Sequence, residues 1–108
     1  MQSGYVYLIC DPMTDNFKIG VTRDLKSNRL KKLQTGNSSE LFVHTIYETQ
    51  YPFRLETMLH SKYKSKNTLN EWFKLDVSDV IHFKETCSYL EKQIECLLDN
   101  PFFAKDLK

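Results

Sequence analysis

The stretch GYVYLIC, DPMTDN, FKIGVT, running from Gly4 to Thr22, reads as two strands joined by a turn. Residues 4–10 are β-branched and aromatic, which suits an extended, half-buried chain. Asp11, Pro12, Asp15 and Asn16 punctuate residues 11–16 as a turn. A six-residue loop pairs Cys10 with Phe17, Leu8 with Ile19 and Val6 with Val21. All three pairs are apolar and share one face, because side chains alternate with a period of two. The opposite face carries Tyr5, Tyr7 and Ile9 with Lys18, Gly20 and Thr22. Tyr7 then stands across from Gly20, with Lys18 diagonal to it.

Working outward, residues 24–34 read as a basic helix. TGNSSE (35–40) is a loop, with Gly36 as the stop signal. LFVHTIYET (41–49) reads as a third strand. Pro52 suits the first turn of a helix running to about Lys64. KSKNTLN (64–70) is a polar loop, and EWFKL (71–75) is a short apolar segment that can be extended. Asp76 or Ser78 can cap a last helix over about 79–98. Val80, Phe83, Cys87, Leu90, Ile94 and Leu97 form a stripe on it, spaced three and four apart. Such a stripe suits core packing or pairing with a second copy, which would make a homodimer through the 79–98 helix.

The chain has 108 residues, 41% hydrophobic and 27% charged, which fits one globular domain and argues against disorder. No apolar run approaches a bilayer span, so no membrane association is expected. The N-terminus shows no basic n-region or cleavage site. Cys10, Cys87 and Cys96 are an odd count without CxxC spacing, which fits a reducing, intracellular setting, cytoplasmic or nuclear. The formal charge of +1 conceals an asymmetry. Residues 1–70 carry ten Lys/Arg against six Asp/Glu, and residues 71–108 carry five against eight. Lys18, Arg23, Lys26, Arg29, Lys31 and Lys32, and then Arg54, Lys62, Lys64 and Lys66, form two basic stretches suited to a polyanion or to solvated helix faces.

Three positions could carry chemistry. An ammonium near the Tyr7 phenol, from Lys18, would stabilise the phenolate and make it a usable base. Gly20 opposite would leave room for a substrate backbone. Arg29 lies within the arc spanned by Leu25, Leu30 and Leu33 and needs an anionic partner. Lys26 falls in the same arc, so the helical wheel leaves both open. Glu56 lies at the edge of the stripe of Leu55, Leu59 and Tyr63, with His60 one turn later. It reads as a helix salt-bridge partner or as a ligand for Mg²⁺, which typically takes one or two protein carboxylates. Two ligands are too few for zinc. His44 and His82 read as structural.

The ordered set Gly4-Tyr5-Val6-Tyr7, Lys18-Ile19-Gly20, Arg29, Leu33 to Asn37, Glu56 to His60 and Glu71-Trp72-Phe73 resembles the GIY-YIG nuclease superfamily. It is most similar to the branch common in phages and large DNA viruses. The resemblance covers residues 3–75, leaving 76–108 as a C-terminal helical extension of a single domain, 1–108. It implies an α+β fold, a small three-stranded antiparallel sheet flanked by helices. It implies an endonuclease that hydrolyses phosphodiester bonds of nucleic acid, with DNA favoured, using Mg²⁺ or Mn²⁺. Tyr7 would be the base or water-positioning phenol. Lys18 stands where the second motif usually begins with tyrosine. Arg29 would bind the scissile phosphate, and Glu56 would hold the metal. The helix histidine of the family falls at Leu33 and is absent, and His60 is assigned part of its role. The late asparagine of some members has two candidates, Asn67 and Asn70. Arg23, Lys26, Lys31, Lys32, Asn37, Lys62 and Lys64 would contact nucleic acid. The substituted lysine and missing histidine keep a second reading open, a catalytically silent nucleic-acid-binding module.

Overall fold

The structure is a computed structural model that describes residues 3–24 and 41–99. Apart from Asp24, the basic helix expected over residues 24–34 lies outside the described residues. Lys26, Arg29, Lys31, Lys32 and Asn37 therefore have no structural account.

The hairpin folds in the register that its parity demands. Strand β1 (Gly4–Asp11) pairs antiparallel with β2 (Asn16–Thr22), setting Cys10 against Phe17, Leu8 against Ile19, Val6 against Val21 and Tyr7 against Gly20. The turn is held by Asp11. Its carbonyl accepts from the Asp15 amide at 2.9 Å, and its Oδ1 accepts from the Met13 amide at 3.0 Å. Asp15 takes a positive φ of 57°, a conformation that a short polar side chain tolerates.

Strand β3 (Phe42–Thr49) pairs antiparallel with the other side of β1. The register shifts between Leu8 and Ile9, which face Thr45 and Val43 and leave His44 as the bulged residue. Two short strands extend the sheet beyond the three expected. β4 (Asn67–Leu69) and β5 (Trp72–Phe73) form a hairpin, and the strand order is β3-β1-β2-β5-β4. Phe17 pairs with Phe73 and Lys18 with Trp72. Asn70 makes the hairpin turn with φ 53°. Asn67 Nδ2 donates to the carbonyls of Asn70 and Trp72. Both asparagines thus serve the hairpin backbone.

Helix α1 (Pro52–Lys62) follows β3, with Pro52 in its first turn as expected. Its start packs on β1, where a methyl group added to Gly4 would lie 2.9 Å from Pro52 Cγ. The C-terminal helix is divided. Helix α2 (Val77–Ile81) and helix α3 (Phe83–Leu98) meet at His82, whose ring Nδ1 lies 2.9 Å from the Ser78 carbonyl. Asp76 caps α2, and Asp76 and Asp79 form a reciprocal capping box. Lys66 pairs with both carboxylates of that cap. Its charge is therefore spent inside the fold and adds little to the basic footprint.

The two faces of the sheet build different clusters. Val6, Leu8, Ile19, Val21 and Phe73 pack with Leu55, Leu59 and Tyr63 and with Phe83, Cys87, Leu90 and Ile94. Four residues of the C-terminal stripe thus lie in the chain's own core. Burial, with Glu91 nearby, pushes the Cys87 thiol up to about 12, so it stays protonated as a small apolar group. Across the sheet, Tyr7, Ile9 and Leu41 form a second cluster with Ile46 and Trp72. Among the described residues, no helix is long and apolar enough to cross a membrane.

Candidate functional site

The site grows from the Ile19–Gly20 peptide of β2. On the face of the second cluster, the Tyr7 ring lies directly on Gly20. A methyl group added to Gly20 would sit 2.6 Å from Tyr7 Cζ and 2.8 Å from Cε1, with the hydroxyl closer still. Space opposite Tyr7 was expected to admit a substrate backbone. The tyrosine fills it instead, because a cross-strand aromatic over glycine buries its own ring against bare backbone. Tyr7 is 1% exposed.

The same peptide is gripped from the helix side. His60 Nε2 lies 2.9 Å from the Ile19 carbonyl oxygen. A carbonyl only accepts, so Nε2 carries the proton and donates it. The His60 ring also meets Phe73 edge-on, with centroids 5.0 Å apart. Glu56, one turn earlier on α1, brings Oε2 to 4.0 Å from His60 Nε2. The Glu56 side chain is 18% exposed, and Oε2 itself is shielded from solvent. Peptide geometry sets a carbonyl oxygen about 3 Å from the next Cα. Tyr7 from β1 and His60 from α1 therefore meet one peptide unit, and Glu56 is placed through its position beside His60.

Lys18 completes the sheet side. It faces Ile9 on β1 and Trp72 on β5. It stands diagonal to Tyr7, a relation that separates such residues by roughly 7–8 Å. Its Nζ is 2.7 Å from Glu71 Oε2 and lies over the Trp72 ring at 5.7 Å. Its side chain is only 12% exposed. A cation so withdrawn from water needs a counterion. Glu71 supplies it, and no role for Glu71 emerged from the sequence. The signal was there, an acid beside a tryptophan in a short apolar segment, but its partner lies fifty-three residues earlier, on β2.

Of the remaining described positions, Arg23 lies over the Phe53 ring at 5.2 Å, and Lys62 over the Tyr63 ring at 5.9 Å. Arg23, Lys62 and Lys64 are exposed, as a contact to a polyanion requires. The structure thus gathers Tyr7, Lys18, Glu56 and His60 around β2 and leaves these three cations on the surface.

The donor set decides which metal the residues suit. Among the described residues, no group of three or more His, Cys, Asp or Glu could hold an ion. One withdrawn carboxylate, beside a histidine whose Nε2 is occupied by its proton, does not make a zinc cage. A hard divalent cation such as Mg²⁺ asks less of the protein, one or two carboxylates with waters and phosphate oxygens completing its shell.

The molecule is a small α/β domain built on a five-stranded antiparallel sheet, with Tyr7, Lys18 and His60 set on or against β2. The chain belongs to the T5orf172 domain family, whose model matches residues 4–88. That domain is associated with phage and viral proteins resembling homing endonucleases, which suggests a nuclease or nucleic-acid-binding role. No curated protein and no solved structure matches the chain.

Proposed function

We propose that the protein is a metal-dependent endonuclease of the GIY-YIG type, hydrolysing phosphodiester bonds in DNA. The observation that supports this reading is the contact of β2 with Tyr7 at Gly20 on one face and with His60, beside Glu56, at the neighbouring Ile19 carbonyl. Phosphodiester hydrolysis needs an oriented water, relief of charge on the phosphoryl oxygens and a stabilised leaving oxygen. Tyr7 orients or deprotonates the water. Lys18 stabilises the developing phenolate from the diagonal position. Arg29 makes charge-assisted bonds to the scissile phosphate. Glu56 holds Mg²⁺ or Mn²⁺, and the bound ion supplies polarisation of the phosphoryl group. His60 ties α1 to β2 and so fixes where the Glu56 carboxylate stands. Arg23, Lys62 and Lys64, with Lys26, Lys31, Lys32 and Asn37, give salt-dependent affinity for the backbone.

A second reading is a module of the same fold that binds nucleic acid without cutting it. The near-complete burial of Tyr7 favours it. A supercoiled-plasmid assay separates the two. The nuclease yields nicked circles in Mg²⁺ or Mn²⁺ and none in EDTA. Retention of plasmid on the protein, with no nick in either metal, assigns the module.

A further inference from the structure

We propose that Glu71 is a positioning residue that sets Lys18 in place for the reaction. This rests on the reading of Lys18 as part of the nuclease site. Glu71 is attached to β2 at two adjacent residues. Its carbonyl accepts from the Ile19 amide at 3.1 Å, and its carboxylate holds Lys18 Nζ at 2.7 Å. The backbone bond fixes where the carboxylate starts, and the Asn70 turn with its positive φ delivers the chain to that bond. The Lys18 ammonium also lies over the Trp72 ring, with Nζ 5.7 Å from its centroid.

The physical need is clear. A lysine is a flexible stem ending in a strongly hydrated point charge. Left alone at this strand position, it would swing out to water. The Glu71 carboxylate removes that option and holds the ammonium beside Trp72, on the sheet face that carries Tyr7. Part of the lysine's field is offset by the pairing. In exchange, the charge has one location, and catalysis depends on location.

The experiment measures kcat and KM for plasmid nicking, together with melting temperature, in wild type, Glu71→Ala, Glu71→Gln and Asn67→Ala. Asn67→Ala is the structural control, because it loosens the same hairpin without touching Lys18. Glu71→Ala is expected to lower kcat by roughly 10- to 100-fold, with KM within a factor of about three. Glu71→Gln can still accept a hydrogen bond from Lys18 and should recover part of the loss. Asn67→Ala should lower the melting temperature at least as much while keeping kcat within about threefold. Unchanged or raised kcat in Glu71→Ala overturns the proposal. So does a kcat that falls in step with melting temperature in both hairpin variants. A wild type that nicks in neither metal removes the underlying nuclease reading, and this proposal with it. That outcome is distinct from an active wild type with an indifferent Glu71.

Discussion

Glu56→Gln is expected to lower nicking by about a thousandfold or more while the chain stays folded. Glutamine keeps the size and shape of glutamate but loses the charge that attracts a divalent cation. The exchange leaves the core packing unchanged, since glutamine matches glutamate in volume and the position lies outside the apolar stripe of Leu55 and Leu59. The His60 bond to the Ile19 carbonyl does not pass through Glu56 and survives. Affinity for DNA should fall little, because the exposed cations Arg23, Lys62 and Lys64 are untouched. The paired measurements are nicking rate and plasmid retention, each with an EDTA control. Cutting at the wild-type rate by a folded Glu56→Gln protein would remove Glu56 from the chemistry.

Gly20→Ala is expected to damage stability and activity together. The new methyl group would meet the Tyr7 ring well inside van der Waals contact. Tyr7 has nowhere to retreat, since it is 1% exposed and packed with Ile9, Leu41, Ile46 and Trp72. Overpacking of this kind costs about 1–3 kcal/mol. At this chain length that lowers the melting temperature by roughly 5–20 °C. Nicking should fall further than the unfolded fraction explains, because the phenol is pushed off the Ile19–Gly20 peptide. A Gly20→Ala protein that melts and cuts like wild type would show that the close approach of ring and backbone is not needed.

The hairpin was legible because one residue of slippage would have turned its apolar set to the wrong face. Tyr7 opposite Gly20 followed from that parity, as did Lys18 on the diagonal. What occupies the space over Gly20 did not follow. Register states which residues face each other, whereas the side-chain rotamer decides which of them fills the gap. The Glu56–His60 relation was legible from helical spacing, but the commitment of His60 Nε2 to a strand carbonyl was not. That bond depends on how α1 lies across β2. The β4–β5 hairpin escaped notice because two or three residues are too few to show alternation. With it went Glu71, whose counter-charge to Lys18 exists only once β5 pairs with β2. The 79–98 stripe was read with its periodicity intact. The break at His82 hides in that periodicity, because a local turn need not disturb the spacing of core residues. Lys66 illustrates the limit of counting charges, as two acids ten and thirteen residues later absorb it.

Tyr7→Phe tests the shared site most directly, because it deletes one oxygen and leaves the ring over Gly20. Single-turnover nicking in Mg²⁺ should fall by roughly 10²- to 10⁴-fold, as expected for loss of a positioned acid–base group. The melting temperature should stay within a few degrees, about the worth of one hydrogen bond. A folded Tyr7→Phe protein that nicks plasmid at the wild-type rate would contradict the account.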